Sequence, residues 1–104
     1  MKLKKISVAV GSLLIAGAAL ADITIGVTLP LTGPASGLGI PMNNQFKLWP
    51  ATIAGEKVKL VILDDATDPT NAVKNARRFV TDDKVDVIIG SAATPVGIAM
   101  ADVA

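Results

Sequence analysis

The run Ile88 Ile89 Gly90 Ser91 Ala92 Ala93 Thr94 Pro95 passes from β-branched residues through a cluster of small ones to a hydroxyl and a proline. Small residues at the end of a buried strand leave backbone N–H groups uncovered. Thr94 then adds a hydroxyl at a helix start whose dipole favours negative charge, so an anion, most simply a carboxylate, fits there. Residue type alone allows a second role equally well, in which Thr94 is an ordinary N-cap that satisfies only its own helix and Pro95 is the first helical residue. Asp64 and Asp65 are the other chemical candidates, as an acid–base pair or a cation ligand. Neighbours at a strand end point to opposite faces, however, so the geometry favours one of them capping or hydrogen-bonding the loop that follows.

Other chemistries are excluded by what the chain lacks. The glycines Gly33, Gly37 and Gly39 are spaced G-x-x-x-G-x-G, not G-x-G-x-x-G, and no Gly-Lys-Ser/Thr occurs, so no nucleotide cofactor is expected. There is no histidine, which removes the side chain most used for proton transfer near neutral pH. No metal site or catalytic residue is assigned.

These residues need a scaffold. Ile23–Leu29 alternates β-branched and small residues and stops at Pro30, which reads as a strand. A Gly/Pro/Ser/Thr-rich loop follows. Leu38, Met42, Phe46, Trp49 and Ile53 then recur at helical spacing, predicting a helix to about Leu48 with that stripe in the core and Pro41 in its first turn. Val58–Leu63 is a nearly continuous apolar strand, and Asp68 with Pro69 opens a second helix that buries Ala72, Val73, Ala76, Phe79 and Val80 and turns Lys74, Arg77 and Arg78 outward. Val85–Ile89 is the third strand, and a helix with Ile98 and Val103 as apolar positions follows Thr94. Strand–helix alternation of this kind predicts an α/β fold, a three-layer open parallel sheet of Rossmann-like type. Its strand carboxyl ends share one edge, where such sheets bind ligands, and the three loops after the strands all lie there.

The first 21 residues carry Lys2, Lys4 and Lys5, an uncharged run from Ile6 to Leu20, and the small-residue triplet Ala19 Leu20 Ala21, the pattern of a cleavable secretory signal peptide. Domain organisation is therefore read as a signal peptide over 1–21 followed by a mature segment over 22–104. All nine acidic residues but only seven of the ten basic ones follow position 21, so the mature segment carries a net charge of −2. Such a balance gives no reason to expect nucleic acid or anionic membrane as a partner. With no cysteine, the chain has neither a disulfide nor a lipid-attachable residue after the leader.

Three motifs, taken together, resemble exported solute-binding proteins of ABC transporters for branched-chain amino acids and related small acids, the leucine/isoleucine/valine-binding type. They are Leu29 Pro30 Leu31 Thr32 Gly33 Pro34 running on to Gly39, Asp64 Asp65 through Asp68 Pro69 with Ala72 Val73, and Val85 Asp86 Val87 Ile88 Ile89 Gly90 with Thr94. The resemblance spans essentially the whole mature segment. It implies the N-terminal lobe of a type I periplasmic binding fold, incomplete here, in a two-lobed protein that closes on its solute and delivers it to a membrane permease. By the same resemblance, Leu38 lends a side chain to the pocket, Thr94 holds the solute carboxylate, and Ala93 offers backbone only. Relatives often carry a bulkier residue at the place of Leu38, and Trp49–Gly55 replaces their Asn-Ala-Gly-Gly type of turn. They also run to several times this length, so the chain reads as the front of such a protein, a truncated product or a fragment.

The resulting expectation is a periplasmic solute receptor, or part of one, without enzymatic activity or cofactor. Two other readings compete: an exported hydrolase using Asp64, Asp65 and Ser91 or Thr94, and a fragment that does nothing alone. Export predicts a mature N-terminus at Asp22, which intact-mass measurement of the secreted chain would show; an uncleaved Met1 or Lys2 start would refute the leader assignment.

Overall fold

A computed structural model describes residues 22–104, and the leader assignment lies outside the described residues. The chain runs β1 (Ile23–Leu29), α1 (Ser36–Phe46), β2 (Thr52–Ile53), β3 (Glu56–Asp64), α2 (Pro69–Thr81), β4 (Val87–Ile89) and α3 (Thr94–Ala101). The sheet order is β2-β3-β1-β4. β1 pairs in parallel with β3 over its full length, Ile23 to Val58 through Leu29 to Asp64, and with β4 from Ile25–Val87 to Val27–Ile89. The three long-range strands are thus parallel, as the alternation requires.

Because side chains alternate across a strand, β1 serves two layers. Ile25, Val27 and Leu29 form one core with Phe46 of α1, joined by Val58, Leu60 and Ile62 of β3 and Ile89 of β4. On the other face, Gly26 lies under the ring of Phe79 of α2, and the buried Thr28 accepts a hydrogen bond from the Asn75 side chain of α2 at 3.1 Å. α2 and α3 pack together on that face through Ala72, Ala76, Val96 and Met100, with Ile88 of β4 beneath. So α1 covers one side of the sheet, and α2 and α3 the other.

The start of α2 follows its sequence: Asp68 caps it, accepting from the N–H groups of Thr70 (2.7 Å) and Asn71 (3.1 Å), and Pro69 fills the first position. Elsewhere the structure corrects the expected phase or boundary. α1 begins at Ser36, because Gly33 turns the chain with φ +79° and the Ser36 and Leu38 N–H groups fold back onto the Gly33 and Ala35 carbonyls. Pro41 therefore stands in the second turn, where its missing N–H leaves the Gly37 carbonyl without its helical partner. The face of α1 turned to the sheet carries Gly39 and Phe46. The expected stripe has the right period but is rotated away: only Phe46 is buried, while Leu38 (57% exposed), Met42, Trp49 and Ile53 lie at the surface. Trp49 leans on Phe46, ring centroids 4.8 Å apart.

The segment after α1 is a hairpin that the helical pattern masked. Thr52–Ile53 pairs antiparallel with Lys57–Glu56 around Ala54 (φ 52°) and Gly55 (φ 81°), two left-handed residues as a type I′ turn needs. β4 is shorter than Val85–Ile89. Asp86 ends its ladder with a side-chain contact, its carboxylate accepting from the Thr24 N–H at 2.8 Å, while the Val85 N–H turns to the Phe79 carbonyl. In α2, Val80 is half exposed, not buried, and beside Val85 and Val87 it lines an open hollow of about 310 Å³ at the N-terminal end of β4, away from the strand carboxyl ends. In α3 the inward residues are Val96 and Met100, one turn apart. Val103 continues their face, but Ile98 points outward.

Gly26 shows how tightly this frame is closed, since a Cβ there would lie 2.7 Å from the Phe79 ring. Gly26→Ala is predicted to destabilise the chain by about 1–3 kcal/mol through overpacking, read as a lower urea midpoint. Phe79→Leu should relieve part of that penalty in the double variant; strict additivity would mean the contact does not limit β1–α2 packing.

Candidate functional site

The β1 and β4 strands are neighbours, yet the chain leaves them toward opposite faces, β1 into α1 and β4 into α3. In an open α/β sheet the crevice opens where successive connections diverge in this way. The loops bounding it are 30–35 and 90–93. The β3 loop, 65–68, lies on the far side of β1.

At the β4 side, Ala93 is the N-cap (φ −90°, ψ 117°), and its carbonyl accepts from the Val96 and Gly97 N–H groups at 3.0 and 2.9 Å. Thr94 is the first helical residue and Pro95 the second, one place earlier than the sequence suggested, so the Thr94 hydroxyl makes no capping bond. Helix α3 does not use the hydroxyl as its cap. Pro95 has no N–H to satisfy, and among the described residues no bond within the chain takes up the backbone N–H groups of Ser91, Ala92 or Thr94. The Ala93 N–H is held at 3.3 Å by the Ser91 hydroxyl. Three peptide donors and one free hydroxyl thus gather at a helix N-terminus, an arrangement that suits a carboxylate.

At the β1 side, Leu38 falls in the first turn of α1, which begins at Ser36. Its side chain is largely free. Leu38, Ala93 and Thr94 all stand at the carboxyl end of the sheet, Leu38 in the first turn of α1 and Ala93 and Thr94 at the start of α3.

The paired aspartates diverge, as neighbouring strand-end residues should. Asp64 reaches sideways: its Oδ1 accepts from the N–H groups of Leu31 (2.9 Å), Thr32 (3.2 Å) and Ala66 (2.8 Å), and its Oδ2 from the Thr32 hydroxyl at 2.6 Å. Asp65 is fully buried on the α2 side, where it accepts from the Thr28 hydroxyl at 3.1 Å and the Thr67 N–H at 2.9 Å. Neither carboxylate bonds to Ser91 or Thr94. Sequence reasoning anticipated a bond to the loop that follows, which Asp64 and Asp65 both make, but missed the grip on the loop after β1. The motif that lies one strand away in space gave no signal of that pairing. Among the described residues no group of three His, Cys, Asp or Glu could hold a metal ion.

Burial pushes the Asp64 carboxyl up, but the Thr32 hydroxyl and the Ala66, Thr32 and Leu31 N–H groups outweigh it and hold it below its ordinary value. A depressed carboxylate contributes stability above its unfolded pKa, about 3.9, and loses it as pH falls below that value. The stability gap between the native chain and Asp64→Asn should therefore be widest near neutrality and shrink as urea titrations approach pH ~3. A gap constant across that range would contradict the ionised, hydrogen-bonded Asp64.

Comparison with known proteins bears on the fold and the family. The family model described as periplasmic binding protein matches residues 22–104. A Leu/Ile/Val-binding protein homolog 3 from Brucella melitensis is 39% identical over 98 residues, covering 85% of this chain and 25% of that protein. An extracellular ligand-binding receptor from Rhodopseudomonas palustris HaA2 superposes with a TM-score of 0.78 at 48% identity, over 80% of this chain and 23% of the receptor. An ABC-transporter solute-binding protein from Rhodopseudomonas palustris BisB5, solved with 3,4-dihydroxy benzoic acid, gives 0.62 at 32% identity, over 64% and 20%. The chain spans about a quarter of the length of the curated relatives it matches. With a parallel-dominated sheet of the same build and a family match along every described residue, the chain belongs to the periplasmic binding protein family.

Proposed function

We propose that residues 22–104 form part of the N-terminal lobe of an extracytoplasmic receptor, the solute-binding component of an ABC importer for branched-chain amino acids or related small carboxylates. The observation that carries this reading is the unclaimed Thr94 hydroxyl beside the free N–H groups of Ser91, Ala92 and Thr94, at the divergence of β1 and β4. A carboxylate placed there gains charge-assisted hydrogen bonds that water-exposed amides otherwise spend on solvent. Ala93 contributes through its backbone, shaping the turn that presents those donors. Leu38 faces the same end from α1 and offers an apolar surface for the solute's hydrocarbon part.

The leader at 1–21 would export the chain to the periplasm, where the loaded protein would hand its solute to a membrane permease. Relatives bearing a branched-chain name and a neighbour solved with a dihydroxybenzoate share one feature of their solutes, a carboxylate next to an apolar body. That shared chemistry is what this half-site suits. The hydrolase reading finds no support from Asp64 and Asp65, whose carboxylates are engaged with loop N–H and hydroxyl groups and not with Ser91 or Thr94.

Thr94→Val keeps the shape of the residue and removes the hydroxyl. Titration calorimetry with L-leucine and with 3,4-dihydroxybenzoate should show binding weakened by about 1.5–3 kcal/mol, the worth of a hydrogen bond to a charged group. Equal affinity in the native and variant proteins would remove Thr94 from the site.

A further inference from the structure

The loop that must stand opposite Thr94 has little of its own to hold it. Thr32, Gly33 and Pro34 are exposed, and the only apolar anchor in 31–35 is Leu31, packed at the rim of the β1 core. What fixes it is the β3 loop. Besides Asp64, which takes the Leu31 and Thr32 N–H groups and the Thr32 hydroxyl, the Thr67 hydroxyl donates to the Thr32 carbonyl at 3.2 Å and accepts from the Ala35 N–H at 3.1 Å. Ala35 in turn offers its carbonyl to the Leu38 N–H at 2.9 Å. A continuous path of hydrogen bonds therefore runs from Thr67 through Ala35 to Leu38.

The backbone is bent out of its way to build this path. Ala66 (φ 53°) and Thr67 (φ 61°) are consecutive non-glycine residues in the left-handed region, where a β-branched residue is an outlier. Strain of this kind persists only where surrounding contacts over-determine it, and it gathers at sites that need pre-set geometry. Gly33 completes the fit, since any Cβ there would strike the Ala66 carbonyl.

We infer that Asp64 and Thr67 are positioning residues for solute capture: by bridging two loops they fix where α1 begins, and hence where Leu38 stands relative to the donors at Thr94. This rests on the solute reading above. Neither residue needs to touch the solute. Their contribution lies in sparing the loop the ordering that binding would otherwise demand.

The test compares Thr67→Val, which removes the hydroxyl, with Thr67→Ser, which keeps it, alongside Asp64→Asn and Thr94→Val. Amide exchange and titration with L-leucine and with 3,4-dihydroxybenzoate are followed by NMR on the exported chain. Thr67→Val should weaken binding about five-fold, as the loss of neutral hydrogen bonds would, and Thr67→Ser should restore it. Exchange at Ala35 and Leu38 should quicken about ten-fold while Ala76 and Phe79 in α2 keep their protection, the mark of local and not global opening. If Thr94→Val weakens binding but Thr67→Val and Asp64→Asn do not, the positioning role is wrong and the solute site stands. If the native chain binds neither probe, the solute reading falls and this inference goes with it. Protection lost throughout α2 in Thr67→Val, with unchanged affinity in Asp64→Asn, likewise overturns it.

Discussion

β1 is the strand on which both layers are hung, and its alternation of large and small side chains decides the rest. Ile25, Val27 and Leu29 fill the space under Phe46, while Gly26 gives way to the Phe79 ring on the other side. A larger residue at 26 would lift α2 from the sheet, and with it α3, which packs on that face against α2 and Ile88. The parallel registers of β3 and β4 against β1 then set the heights of all three carboxyl-end loops at once. Hydrophobic burial thus fixes the frame, and the polar contacts at its rim refine it.

The rim works by a division of labour between two aspartates that are adjacent in sequence and separated in space. Asp65 is drawn inward to Thr28, whose hydroxyl also receives the Asn75 amide, so that a small polar network ties β1 to α2 without leaving a buried side-chain donor or acceptor unpaired among the described residues. Asp64 is turned outward and holds the neighbouring loop. An acid–base couple was one role the sequence allowed this pair, but their divergence at the strand end favoured bonds to the loop that follows, and those are the bonds they make.

Much of the frame was legible because it depends on local chemistry. The β-branched alternation of Ile23–Leu29, the Asp68–Pro69 helix start and the strand–helix alternation each have a near-neighbour cause. The phase of α1 was not legible. Leu38, Met42 and Trp49 carry the helical period, but tertiary contact chose the adjacent face with Gly39 and Phe46, because only a glycine permits the approach to Pro30. The hairpin at Ala54–Gly55 was hidden for a similar reason, since Ile53 happened to continue the same spacing. At the candidate site, the residues Leu38, Ala93 and Thr94 were named from motif and resemblance, whereas the link from Thr67 to Ala35 joins positions 32 apart, and no single-sequence pattern encodes such a contact.

The outward rotation of α1 has a consequence for how this chain could change. Leu38 contributes nothing to the buried layer beneath it, so an exchange at that position need not disturb folding, whereas Gly39, its immediate neighbour, admits no side chain at all. A drifting lineage would find one of these adjacent codons open and the other closed.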